Sequence, residues 1–476
     1  MTVKGLKNHP YIPNSVPEVQ KEMLDYIGLT SLEDLHQDIP DELILKENMN
    51  MPKAFGSEME IKRHVEKLLM KNKTCTENSS FLGGGCWNHY VPAICDEINT
   101  RAEFLTAYGG EPYEDHGRFH ALFEYQSLLA ELLDMEVVNV PTFDWAQAAS
   151  TAIRMAGRKT KKGIVLVPRL MDQEKLMVIR NFCSPQMEAI EVGFEAETGL
   201  MDLIDLEKKL QGNRENVAAV YFENPSFMGF IEHRGKEISA IAKKHGAEVV
   251  VGVDASSLGI LEVPVNYGAT IVCGDLQPLG VHMNYGGGQA GYIATMDIPE
   301  YVMEYPSRLF GIAPTCVAGE YGFGDVAYDR TSFHDREKGK EYVGTQAALW
   351  GITAGVYLSL MGPEGMRELG ENIIKKTNYA LLTLTENPSL QKSGLKASRF
   401  NTPMFKEFVL DFNKTGKRVE EVNKALLEYN VFGGKDLSKD FPELGECSLY
   451  AFTEMTTKEE IDSLVKALAK ILGGAK

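Results

Sequence analysis

The sequence predicts an α/β protein in which a large domain on a mostly parallel sheet, with helices on both faces, precedes a smaller C-terminal α/β region. From about residue 120, long amphipathic stretches alternate with short runs rich in β-branched residues. That alternation marks parallel strands joined by crossover helices. After about residue 340 a long apolar helix leads into a second, shorter series of the same kind. At 476 residues the chain exceeds what one simple core organises, so two or more globular units are expected.

Residues 1–70 form an expected helical arm. "SVPEVQKEMLDYIG" and "SEMEIKRHVEKLLMKN" each place apolar residues at helical spacing behind a serine able to cap the first turn. Between them the proline-bounded "IPDELILKENMNMP" reads as extended. Two such helices have too little mass for a core of their own, so the arm is expected to pack on the large domain or on another chain. Residues 71–335 form the expected large domain. Its helix candidates are "FHALFEYQSLLAELLDM", "DWAQAASTAIRMAGR" and "HRGKEISAIAKKHG", and its buried strands "GIVLVP", "MEAIEV", "VAAVYF", "AEVVVGVD" and "ATIVCG". Residues 336–476 contain the linking helix "TQAALWGITAGVYLSLMG", strands in "MFKEFVLDF" and "SLYAFTE", and a closing helix "TTKEEIDSLVKALAKIL" with capping-box spacing.

A net charge of −18 argues against a nucleic-acid or anionic-membrane surface, which calls for clustered Lys and Arg. Seven scattered cysteines without a C-x-x-C pair are neither a disulfide framework nor a zinc ribbon, and they suit a reducing compartment. No apolar run approaches the roughly 20 residues of a membrane span, and the first residues carry no apolar core of signal-peptide length. A cytoplasmic protein is expected.

A large parallel-sheet domain followed by a small α/β domain is the architecture of fold-type I pyridoxal-phosphate enzymes, one candidate among several doubly wound folds. The strand "AEVVVGVDASS" ends in Asp254. In that fold a strand-end carboxylate keeps the cofactor's ring nitrogen protonated; the plainer reading is a cap or turn residue. One strand later such an enzyme supplies the Schiff-base lysine, but "IVCGDLQPLGVHMNYGGGQAGYIAT" has Gln277, and there is no lysine between Lys244 and Lys338. An amide cannot form an imine. Gly286, Gly287 and Gly288 read either as a tight turn or as room for a ligand phosphate or a second chain's backbone.

Longer motifs extend the reading. "YIPNSVPEVQKEMLDYIGLTSLEDLHQDIPDELILK", "SSFLGGGCWNHYVPAICDEINTRAEFLTAY", "HALFEYQSLLAELLDMEVVN", "YGATIVCGDLQPLGVHMNYGG", "DREKGKEYVGTQAAL" and "FTEMTTKEEIDSLVKAL" occur in that order over nearly the whole chain. On these motifs the chain resembles the P-protein family, glycine dehydrogenase (decarboxylating), and within it the subunit 1 type. The resemblance implies that pyridoxal phosphate sits on a homologous subunit 2, and that Asp254, Gln277, Gly286 and Gly287 form a vestigial cofactor site. It implies decarboxylation of glycine or a related small amino acid, with transfer of the aminomethyl group to the lipoyl arm of H-protein. No catalytic residue is then expected in this chain alone; His89, Tyr108, Glu111, Tyr113 and His116 are candidates for a pocket shared with subunit 2.

The chain departs from the family in two places. Where the family reads TPYQPEISQG this chain has the shorter "GGEPYEDHG", and where it reads REKATSNICTN this chain has "REKGKEYVGTQ". Glu111, Glu114 and Asp115 in the first segment suit a cationic or hydroxylated substrate, or form a solvated acidic loop. The departures leave open a repurposed paralogue acting on another amino acid or amine, and a structural or regulatory partner of a cofactor-binding subunit. His116, His120 and Glu124 share a helix face at a spacing that could seat a metal, although ordinary helix-face residues explain them and no metal is expected. Asp329, Arg330, Arg336 and Glu337 read as interface ion pairs.

Overall fold

The structure, a computed structural model, describes residue 12 and residues 16–47, 50–105, 116–213, 215–337, 339–341 and 347–473. It divides into two compact units, Met1–Thr74 and Cys75–Lys476.

The first unit holds α1 (Pro17–Ile27) and α2 (Glu58–Leu69). Ser57 caps α2 as its spacing predicts, its Oγ accepting from the Glu60 N–H at 3.2 Å. α1 starts differently: Val16 is the N-cap and Pro17 takes the first helical position, where its fixed φ and missing N–H cost nothing. Ser15 lies outside the described residues. The segment expected to be extended contains a single helical turn at Asp41–Leu43. No residue of α1 or α2 is buried.

The second unit opens with β1 (Ser79–Ser80), α3 (Ala93–Asn99), α4 (His116–Leu133), β2 (Val137–Val138) and α5 (Trp145–Thr160). Strands and helices then alternate: β3 (Ile164–Pro168), α6 (Gln173–Cys183), β4 (Glu188–Val192), α7 (Leu203–Gly212), β5 (Val217–Glu223), α8 (Gly235–Lys244), β6 (Glu248–Asp254) and β7 (Ile271–Asp275). β8 (Gly291–Thr295) and α9 (Pro299–Val302) follow, then a hairpin of β9 (Phe310–Pro314) and β10 (Tyr321–Asp325). The main sheet has seven strands in the order β2-β8-β7-β6-β5-β3-β4. It is parallel from β7 through β4, and β8 runs antiparallel to both its neighbours. β5, β6 and β7 are buried along their full length, as expected of near-continuous apolar runs covered on both faces.

α10 (Ala348–Glu386) is kinked at Gly362, whose φ of 58° lies in the left-handed region, just before Pro363. It leads into α11 (Pro388–Ser393), β11 (Glu407–Asp411), α12 (Val419–Leu426), β12 (Val431–Phe432), β13 (Lys435–Asp436), β14 (Cys447–Ala451) and α13 (Lys458–Gly473). β11, β14 and β13 make a small antiparallel sheet with its own apolar core. β1 pairs with β12, so the segment entering the large domain is anchored in the small one. The expected capping box opens α13: Thr457 N–H donates to Glu460 at 2.8 Å, and Glu460 N–H to Thr457 Oγ at 3.2 Å.

Candidate functional site

The carboxyl ends of parallel strands, where the chain leaves the sheet for its helices, are where α/β folds build sites. Here three adjacent strands each end in a carboxylate: Glu223 on β5, Asp254 on β6 and Asp275 on β7, with Asp254 and Asp275 in register. Glu223 and Asp254 bound a cavity of about 430 Å³ that is also walled by the glycine-rich segment Gly83–Trp87, the start of α5 and the residues entering β11, while Asp275 lies behind its wall.

Asp254 is buried and fully occupied. Its Oδ2 lies 2.6 Å from Lys406 Nζ, and its Oδ1 accepts from the Ser256 N–H at 3.0 Å and hydroxyl at 2.8 Å. Burial works to raise this carboxyl, but Lys406 outweighs it and holds it below its ordinary range. Lys406 Nζ also sits 4.0 Å from the centre of the Trp87 ring and donates to His89 Nε2 at 2.8 Å. That places the imidazole proton on Nδ1, which donates to Glu454 Oε2 at 2.7 Å; the other carboxylate oxygen accepts from the Tyr90 N–H. Despite burial, pairing with His89 takes the Glu454 carboxyl down to about 2. Asp254, Lys406, His89 and Glu454 thus form one buried polar chain linking both sheets to segment 83–90.

Gln277 lies beneath Trp87 and does not line the cavity. Its Oε1 accepts from the Trp87 N–H at 3.1 Å, and its Nε2 donates to the carbonyls of Trp87 at 2.9 Å and Val281 at 3.1 Å. Both ends of the amide are spent on backbone, a task a lysine could not perform because it has no acceptor. Beside it, Glu407 Oε1 accepts from the Gly84 N–H at 2.7 Å, and burial pushes its carboxyl up to about 7. A Cβ on Gly83 would strike that carboxylate, which accounts for glycine there.

The N-terminus of α5 opens into the same cavity, a position suited to an anion. Two carboxylates already serve it: Asp144 Oδ1 accepts from the Gln147 N–H at 2.7 Å, and Asp275 Oδ2 from the Trp145 N–H at 3.0 Å. Burial raises Asp275 to about 7. Three lysines line the cavity, and each is paired: Lys406 as above, Lys175 with Glu223 at 2.6 Å, and Lys435 with Asp172 at 3.7 Å. A Schiff base needs a lysine amine free to reach the carbonyl carbon, and each of these lysines is engaged by a carboxylate. The residues of this pocket therefore do not fit pyridoxal phosphate at its ring nitrogen, at its phosphate or at its aldehyde.

Of the residues expected at a site, Asp254 lines the cavity and Gly286 touches it from a left-handed turn at φ 92°, while His89 and Gln277 lie behind its Lys406 and Trp87 walls. Gly287 does not line it. Tyr108, Glu111 and Tyr113 lie outside the described residues, as do Glu114 and Asp115; His116 opens α4 with its side chain outside them. Lys406, Glu407, Trp87 and Glu454 were not anticipated. The usable signal was a Lys-Glu pair inside the otherwise apolar strand run "MFKEFVLDF". His120 pairs with Glu124 at 2.8 Å on an exposed face, and no cluster among the described residues has a metal-ligand arrangement. Arg330, expected in an interface ion pair, is instead buried and donates to the carbonyls of Tyr305 and Ser307.

A family model, "Glycine cleavage system P-protein", matches residues 9–468. The chain belongs to the P-protein family of the glycine cleavage system. It is 39% identical to a probable glycine dehydrogenase (decarboxylating) subunit 1 of Staphylothermus marinus, covering 99% of this chain and 100% of that protein. It is 37% identical to the protein of the same description from Pyrococcus horikoshii, over 98% and 100% of the two chains. Among solved structures it is similar to a glycine decarboxylase (P-protein) in inhibitor-bound form, with TM-score 0.79, 30% identity, and coverage of 98% of this chain and 100% of that one. A cysteine desulfurase of Thermococcus onnurineus, TM-score 0.62 at 16% identity over 86% of this chain and 98% of the other, shares the fold alone. The P-protein family is thus built here on the fold-type I architecture that the strand order displays.

Proposed function

We propose that this P-protein chain works as the cofactor-free half of a two-subunit glycine dehydrogenase (decarboxylating). The full-length likeness to proteins described as subunit 1 supports the enzyme and its reaction. The observation that carries the division of labour is Gln277, which stands at the lysine position with its amide committed to the Trp87 backbone. Pyridoxal phosphate is then held by subunit 2, where it supplies the electron sink for loss of carbon dioxide from glycine before the aminomethyl group passes to lipoylated H-protein.

This chain's share is to complete and close the partner's pocket. Tyr108, Glu111, Tyr113 and His116 belong to the segment proposed to face it. His89, buried behind Lys406, acts from inside by fixing segment 83–90. Exposed apolar side chains on the β9–β10 hairpin, Ile312 and Tyr321, and on the arm, Tyr26 and Leu69, suit a large partner contact. An obligate interface of this kind buries more than about 2,000 Å². The seven free cysteines suit a reducing cytoplasm.

Co-expression with subunit 2, followed by size-exclusion and mass analysis, tests the assembly. Two copies of each subunit in one particle are expected. Separate elution of the two chains, with this one a stable self-contained dimer, contradicts it.

A further inference from the structure

We propose that Lys406 is a resident substitute for the protonated ring nitrogen of the cofactor, so that the vacated site is a latent organic-cation site kept shut by the chain's own ammonium.

A ring nitrogen held by a strand-end carboxylate contributes one N–H donor carrying positive charge. Lys406 presents the same two properties to Asp254 at 2.6 Å. The geometry around it is that of a filled site. Lys406 is 2% exposed, its ammonium lies 4.0 Å from the Trp87 ring centre, and its remaining hydrogen-bonding capacity reaches His89. An aromatic face, a buried carboxylate and an imidazole acceptor together form a recognition set for an organic cation. The set would remain if the lysine were trimmed back. The anion end is likewise furnished internally, by Asp144 and Asp275 at the first turn of α5. Cations without a phosphate should therefore enter the opened site, whereas the phosphate of pyridoxal phosphate would meet the Asp144 carboxylate. What the chain gains from its own cation is a fixed segment 83–90, since Trp87 and His89 both pack on the Lys406 ammonium and Gln277 holds the backbone between the sheet and Trp87.

The test uses the full-length chain with n-propylammonium, which replaces the atoms lost in Lys406→Ala, and with pyridoxamine, a fluorescent pyridine without a phosphate. Lys406→Ala should gain an upward shift of its thermal midpoint with n-propylammonium and show saturable pyridoxamine binding. The wild-type chain should show neither, and adding Asp254→Asn to Lys406→Ala should abolish both. A folded Lys406→Ala chain that takes up neither cation overturns the proposal, as does saturable pyridoxamine binding by the wild type. If Lys406→Ala does not fold, the wild-type chain decides. On borohydride reduction with pyridoxal phosphate, Lys406 should stay unlabelled in the native chain and become labelled in denaturant; stoichiometric labelling of native Lys406 overturns the proposal. Neither arm involves subunit 2 or glycine, so its outcome is separable from that of the functional assignment.

Discussion

Lys406, one residue before β11 in the small sheet, places its ammonium 2.6 Å from the Asp254 carboxylate at the end of β6 in the large sheet, with both side chains buried. The pair joins the large and small sheets of the second unit at the wall of the strand-end cavity. Removing one partner leaves an uncompensated buried charge. Lys406→Met should therefore cost about 3–5 kcal/mol, while Asp254→Asn with Lys406→Met should cost far less. Urea denaturation of the two single variants and the double variant checks this; purely additive losses would mean that the two groups do not act as a pair.

Placing a lysine at position 277 should not create a cofactor site. Gln277 lies under Trp87 with both ends of its amide bonded, so Gln277→Lys removes the acceptor for the Trp87 N–H and adds a charge to an enclosed space. A loss of about 1–3 kcal/mol is expected from the unsatisfied backbone group alone. The variant mixed with pyridoxal phosphate should show no visible aldimine band, and appearance of a stoichiometric band would refute the prediction.

Buried carboxylates give the chain a pH signature. Glu407 and Asp275 lie at about 7 in the folded chain, above the ordinary carboxylate range. Between roughly pH 4 and pH 7 the folded state keeps protons that the unfolded state has lost, so their contribution to stability falls as pH rises through that window and levels off above it. Glu407→Gln retains an acceptor for the Gly84 N–H without the charge. Its thermal midpoint relative to wild type should rise between roughly pH 5 and pH 8. A gap that is constant with pH would show that Glu407 ionises freely.

The fold was legible where residue type and secondary structure coincide. The apolar runs at 164–168, 217–223, 248–254 and 271–275 are strands because each is too short and too β-branched for a helix. Asp254 and Gln277 stood out because strand ends are where this architecture places its chemistry. Lys406 did not, because a lysine within "MFKEFVLDF" reads as the solvent-facing residue of a strand, and only tertiary folding brings it against Asp254. His89 was legible as a residue but not as a link, since its two partners lie more than three hundred residues away in sequence. The start of α1 was misplaced because a proline at the first helical position defines that end without a side-chain cap.

The arm is expected to serve assembly. α1 and α2 bury none of their residues, yet Tyr26, Leu43 and Met70 are among several large apolar side chains left exposed in this unit. Deleting residues 1–74 should leave Cys75–Lys476 folded but unable to form the hetero-oligomer, as read by circular dichroism and size-exclusion with subunit 2. Assembly unchanged by the deletion would remove the arm from the interface.

The most direct measurement is release of labelled carbon dioxide from carboxyl-labelled glycine by separately purified subunits, in the presence of pyridoxal phosphate and lipoylated H-protein. This chain alone should be inactive, subunit 2 alone should show little or no turnover, and the mixture should decarboxylate glycine. Decarboxylation by this chain in isolation, or full activity of subunit 2 without it, would contradict the account of a cofactor-free half that completes its partner's site.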